Sequence, residues 1–187
     1  MANRLKALTP LGHDAPETVT VGPLTITENT SFAMASLASR LGREGDVAKA
    51  ASAAGIPLPG PGMSATGATY GAIWLGAEQW MLDAAFATHE DIRAALLPLF
   101  GDAASITEQT DAWVRFDLTA SDLPALFERL CNLDTRALPE GGATRTVIEH
   151  LGCYVVKRSA TQISVIGPRS SAGSLHHALI TGAKSAY

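Results

Sequence analysis

Residues Gly71 to Asp83 read Gly-Ala-Ile-Trp-Leu-Gly-Ala-Glu-Gln-Trp-Met-Leu-Asp. Ala72–Leu75 and Trp80–Leu82 are apolar runs rich in strand formers, and Gly76-Ala77-Glu78-Gln79 between them is short, opened by glycine and polar at its end. The pattern predicts a β-hairpin with a loop longer than two residues. Trp74 and Trp80 sit at its shoulders, where large rings can meet across a sheet face.

Working outward, Thr88-His-Glu-Asp91 reads as an approximate capping box, with Asp in place of the usual Glu or Gln. The helix it opens buries Ile92, Ala95, Leu96 and Leu99 and stops at Gly101. Residues 103–118 hold a strand pair or one long strand. There Val114, Phe116 and Leu118 alternate with Arg115 and Asp117, which predicts one buried and one wet face. Ser121 caps a further helix with the stripe Leu123, Leu126, Phe127 and Leu130, and Pro124 falls in its tolerant first turn. Three antiparallel strands follow at 145–149, 153–157 and 162–166, with turns at Gly152 and Ser159-Ala160. A last helix over about 171–183 buries Leu175 and Leu179.

Before the hairpin, 31–40 reads as the first core strand through Phe32, Met34 and Leu37, although its alanines suit a helix as well. Residues 45–54 form a helix on the small stripe Val47, Ala50, Ala51 and Ala54. Gly55 ends it, and Pro57 and Pro59 prevent it from resuming. Ile56 to Tyr70 is a Pro/Gly/Ser/Thr loop, and a loop of that length is functional or pinned by something else. Residues 1–29 read as an irregular arm, because Pro10 and Gly12 stop any helix started by Leu5, Leu8 and Leu11. Such an arm is a frayed terminus or lies along a partner. Three leucines in water at about 1.5–3 kcal/mol each favour the partner. Leu5, Leu8 and Leu11, with Met63 and Tyr70 in the loop, are the expected partner-contact residues.

Short hairpins punctuated by single helices predict an α+β fold with antiparallel sheets in one domain over 30–187. Its first half, β-α-β-β-α-β, has ferredoxin-like order. Charged residues make up only 17% of the 187. That points to a surface covered in part by another protein; an alanine-rich compositional bias gives the same statistic. The net charge of -4 comes with no basic cluster, so a nucleic-acid footprint is not expected. No apolar run approaches a membrane span, and the first residues lack the apolar core of a secretory signal. Two cysteines make no disulfide framework, and a reduced, cytoplasmic setting is expected.

Motifs for chemistry fail on inspection. Gly60-Pro-Gly62 with Gly67 follows a proline where a dinucleotide fingerprint needs a strand. The phosphate-loop spacing Gly62 to Gly67 is followed by Ala68 where lysine must stand. His150-x-x-Cys153 finds no second pair to complete a zinc shell, and both Cys131 and Cys153 fall on apolar faces as small buried hydrophobes. Gly62-Met-Ser64 breaks the serine-nucleophile pattern after one glycine. No catalytic, cofactor-binding or metal-binding residue is assigned.

The ordered set Gly71–Gly76, Gln79–Leu82, Ile106-Thr-Glu-Gln-Thr-Asp-Ala-Trp113-Val, Leu130-Cys-Asn-Leu-Asp134 and Ala143–Thr146 leading to His150 resembles the gamma subunits of heterotetrameric sarcosine oxidases, from about Leu24 to about Leu179. The hairpin alone resembles the wider family of folate-binding aminomethyltransferases; Gly76-Ala77 departs from that family's common Gly-Pro. The resemblance implies an aminomethyltransferase folate-binding-domain-like fold. It also implies an accessory role in complexes that oxidatively demethylate sarcosine to glycine with hydrogen peroxide as product, the one-carbon unit leaving as formaldehyde or passing to tetrahydrofolate. It implies alpha, beta and delta subunits as partners, with FAD, FMN and NAD on the alpha and beta chains, zinc on the delta chain and no cofactor on this one. The alternative is a stand-alone folate-binding protein of aminomethyltransferase type.

Overall fold

Side chains along a strand alternate between the two faces of its sheet, so a strand that is apolar on both faces has to be covered twice. A computed structural model, which describes residues 6–187, shows how this chain does so. β1 (Thr18–Val21) and β2 (Leu24–Asn29) form a first hairpin, followed by β3 (Phe32–Ser39), α1 (Glu44–Ala53) and the short β4 (Ser64–Thr66). The opening stretch is the hairpin of β5 (Tyr70–Gly76) and β6 (Gln79–Ala85). The single turn α2 (Phe86–His89) leads into α3 (Ile92–Phe100), β7 (Ala104–Glu108) and β8 (Trp113–Thr119). After α4 (Leu123–Leu130) come β9 (Ala143–Ile148), β10 (Leu151–Ser159), β11 (Gln162–Pro168) and α5 (Ala172–Ala186).

The strands make two sheets, ordered β1-β2-β8-β11-β10-β9 and β4-β5-β6-β3-β7, with every pairing antiparallel. Phe116, Val155 and Val165 of the six-stranded sheet pack with Leu126, Phe127, Leu175 and Leu179 of α4 and α5. Ala35, Leu37 and Leu82 of the five-stranded sheet pack with Val47 and Ala51 of α1 and Ile92 and Leu96 of α3. A third cluster joins Met34, Ile73 and Met81 of one sheet to Ala143, Val156 and Ile166 of the other. The result is four layers, helix, sheet, sheet and helix, each sheet covered on both faces. The α+β reading with antiparallel sheets is what the structure has.

Several local expectations change. The irregular arm ends at Glu17, because residues 18–29 are strands of the six-stranded sheet. Their Thr/Val/Ile content is the β-branched composition that suits a pleated sheet. The arm is also tied down: the buried Glu28 carboxylate accepts the Leu11 N–H at 2.9 Å and the Glu17 N–H at 3.1 Å. The loop of the central hairpin is two residues, since Gly76 pairs with Gln79. A register shift between Trp74 and Gly76 absorbs the extra residue, Glu78 takes φ +57°, and Trp74 stands directly opposite Trp80. Residues 32–39 are strand, held between β6 and β7; pairing on both edges overrides the helix preference of alanine.

The capping box at Thr88 does not form. Asp91 itself caps α3 by accepting the Ala94 N–H at 2.9 Å, and the helix buries Ile92, Leu96 and Phe100 while Leu99 is 40% exposed. The segment 103–118 is two strands in different sheets, so Gln109–Ala112 is a crossing between layers. The β9–β10 turn falls at Glu149-His150, both with positive φ, and Gly152 lies within β10. A Cβ on Gly152 would stand 3.0 Å from Arg145 Nη2, so the glycine makes room for a neighbouring side chain instead of making a turn.

Candidate functional site

The alternation along β8 that predicts a wet face instead faces the second sheet. Arg115 and Asp117 are 9% and 8% exposed, because the side of β8 opposite α4 and α5 is roofed by the five-stranded sheet. A buried charge needs partners, and these two have them. Arg115 Nε donates to Asp117 Oδ1 at 2.8 Å. Ser164, paired with Asp117 across the β11–β8 ladder, donates from Oγ to the same oxygen at 2.6 Å. Asn29, paired with Arg115 across β2–β8, donates from Nδ2 to Asp117 Oδ2 at 2.6 Å. Arg158 Nε donates to Ser164 Oγ at 3.0 Å, and its Nη2 is buried without a hydrogen-bond partner among the described residues.

The five-stranded sheet contributes Asp83 from the facing layer. Gly71 lies opposite it on β5, and a Cβ there would come within 2.6 Å of Asp83 Oδ1, so the glycine is what admits the carboxylate. The two aspartates titrate in opposite directions. Burial pushes the Asp83 carboxyl up, against the pull of the Arg158 and Arg115 charges. Burial acts on Asp117 too, but the Arg115 charge and the bonds from Arg115, Ser164 and Asn29 outweigh it and hold that carboxyl below the usual range.

Beside this cluster a pocket of about 610 Å³ opens between the two sheets and the N-terminal arm. Asn29, Phe32, Met34, Trp113 and Arg115 line its inner end, and Leu8, Phe86 and Arg169 lie around it. The Arg115 guanidinium carbon stands 4.2 Å over the Phe32 ring. Arg169 donates from Nη2 to the Leu8 carbonyl at 2.9 Å and lies 3.6 Å from Asp111. Ser164, Arg158, Asp83 and Asn29 carry no site signal in the sequence, and Arg115 and Asp117 read there only as the wet face of a strand. The signal that was there is Arg115-x-Asp117, opposite charges two apart on one strand face; period two shows a shared face but not what covers it.

Of the five expected partner-contact residues, the four that are described are not brought together. Leu5 lies outside the described residues. Leu8 is 47% exposed at the pocket, whereas Leu11 packs on the core under α4 and α5. Met63 bridges to Gly142, and the Tyr70 ring is buried in the chain's own core, edge-on to His89 at 5.2 Å. His176 stacks on Phe116 at 5.3 Å. Cys153 is buried, and burial pushes its thiol up to about 11, the behaviour of an inert core cysteine. Among the described residues no group of three or more His, Cys, Asp or Glu comes together to hold a metal ion. No helix among them is long and apolar enough to cross a membrane, which says nothing of a β-barrel.

No family model matches the chain, and no curated protein matches it by sequence. Solved structures do match its fold. One chain of the heterotetrameric sarcosine oxidase from Corynebacterium sp. U-96, in complex with pyrrole 2-carboxylate, superposes with a TM-score of 0.76 at 16% identity, covering 90% of this chain and 88% of that one. The glycine cleavage system aminomethyltransferase T from Bartonella henselae superposes with a TM-score of 0.63 at 13% identity, covering 82% of this chain but 44% of that one. The chain shares its fold with both.

Proposed function

We propose that this chain is a non-catalytic accessory subunit, of the gamma type, in a heterotetrameric sarcosine oxidase complex. The observation that carries the reading is the end-to-end correspondence with a chain of such an oxidase, 90% of one chain against 88% of the other. The match to the aminomethyltransferase spans 44% of that chain. The order β5-β6-β3-β7 supports the ferredoxin-like reading of the first half. On this proposal alpha, beta and delta chains are the partners, in the cytoplasm, and carry the flavins, NAD and zinc. The oxidative demethylation of sarcosine or a related N-methyl amino acid takes place on those chains.

The test is affinity purification of the tagged chain from its native cells. Flavin-bearing chains should co-elute in fixed ratio with sarcosine-dependent hydrogen peroxide production, and the chain alone should produce none. Turnover of sarcosine by the isolated chain would overturn the accessory role. A second reading, a stand-alone folate-binding protein, draws on the 610 Å³ pocket, which is of ligand-binding size. Saturable binding of tetrahydrofolate by the isolated chain would favour it.

A further inference from the structure

Arg115 has an unusual disposition for a buried cation. Its Nε–H is committed to Asp117 at 2.8 Å, and Asp117 is itself filled by donors from Ser164 and Asn29. The centroid of the Phe32 ring lies 4.2 Å from the guanidinium carbon. Charge, hydrogen bond and ring together hold the group in place. Its two terminal nitrogens have no acceptor among the described residues, although the residue is 9% exposed and lines the pocket. A guanidinium held this way presents two parallel N–H groups, the fork that matches a planar carboxylate.

The rest of the pocket agrees with an organic anion. Phe32, Met34 and Trp113 give an apolar wall beside the fork, and Arg169, anchored by the Leu8 carbonyl and shared with the exposed Asp111 at 3.6 Å, supplies a second cation. The lining carboxylates of Asp14, Glu90, Glu108 and Asp111 are all on exposed residues, where water and salt screen them. Three of them are occupied: Asp14 by Lys6, Asp111 by Arg169, and Glu108 by Thr110 and the Arg93 amide. We propose that this pocket binds a small organic carboxylate, its oxygens on the terminal nitrogens of Arg115 and its apolar body against Phe32, Met34 and Trp113. The site is complete within this chain and needs no partner subunit, so it goes beyond the accessory role and stands or falls separately from it.

The Trp113 indole N–H, bonded to Gln109 at 3.1 Å, is a built-in reporter on the pocket wall. In the full ¹⁵N-labelled chain, benzoate should shift that signal saturably, and its neutral isostere benzamide should not. Arg115→Lys keeps a cation for Asp117 but loses the fork, and should weaken benzoate binding about tenfold, the loss expected of one charge-assisted pair of bonds. Arg169→Gln leaves the buried cluster intact and should weaken it about threefold through the lost second cation; this variant keeps the test decisive should Arg115→Lys fold poorly. Equal shifts by benzoate and benzamide would overturn the proposal. So would saturation by inorganic phosphate but not benzoate, or benzoate binding undiminished in Arg169→Gln.

Discussion

Phe116 and Asp117 are neighbours on one strand and live in different media. Phe116 points to the layer under α4 and α5, where the packed side chains are apolar, and its ring stacks on His176. Asp117 points to the layer between the sheets, where Met34, Ile73 and Met81 share space with Arg115, Arg158 and Asp83. Both residues are buried. The helix-covered layer holds together by excluding water, which needs no particular orientation. The polar part of the inter-sheet layer holds together only while each donor meets its acceptor. The first tolerates change in proportion to volume; the second fails as a unit.

The largest expected effects test that contrast directly. Phe116→Ala should lower stability by about 3–5 kcal/mol through the cavity it leaves. Asp117→Ala should lower it by a similar ~3–5 kcal/mol, because Arg115, Ser164 and Asn29 lose their common acceptor inside the protein. The two are separated by repair and by pH. Phe116→Leu should recover much of its loss, while Asp117→Asn should recover little, since an amide keeps one accepting oxygen and sets an NH2 donor against the donors around the other position. Urea denaturation of the four variants reads this out, and equal recovery would erase the distinction drawn between the layers.

The second test uses pH. The folded pKa of Asp117 lies below its unfolded value of about 3.9, so its contribution is fully present above that value. It is lost as pH falls through the folded pKa. Asp83 has the opposite sign: its folded pKa is raised, so the fold favours the protonated form. Its penalty is absent below about pH 3.9 and sets in as pH rises from there through the folded value. Asp83→Asn should therefore be at least as stable as the natural chain at pH 7, with the advantage vanishing at pH 3. Asp117→Asn should be less stable at pH 7 and converge with the natural chain at low pH. Denaturation midpoints across pH 3–7 decide both signs.

Smaller effects sharpen the picture at the edges. Gly71→Ala should cost about 1–3 kcal/mol by overpacking, because its Cβ meets the Asp83 carboxylate and one of them has to move. Asp91→Ala should cost about 0.5–2 kcal/mol as a lost helix cap, whereas Thr88→Ala should change stability by less than about 0.5 kcal/mol. A large effect at Thr88 would restore the capping box expected from the sequence.

The capping case shows why parts of the fold were misread. Thr88 and Asp91 both suit a helix start, and only the depth at which Ile92 and Leu96 meet β7 and α1 selects Asp91. The central hairpin was legible because its apolar runs flank a short glycine-opened turn, and α4 and α5 because their apolar residues recur at helical spacing on one side. The strands at 18–29 were hidden by a preceding Pro/Gly-rich stretch. Glu28, which ties the arm down, carries no local signal, since its partners Leu11 and Glu17 are distant in sequence.

What the chain of residues determined by itself is its alphabet of elements: which segments alternate with period two, which with the helical period, and hence antiparallel sheets carrying single helices. What tertiary structure alone decided is the medium each face meets. Arg115 and Asp117 alternate with Phe116 in the same way whether water or a second sheet lies opposite, because periodicity is a property of the backbone and burial is a property of what packs against it. The crossing at Gln109–Ala112, which carries the chain from one sheet to the other, turned an expected wet face into a buried cluster with a pocket beside it.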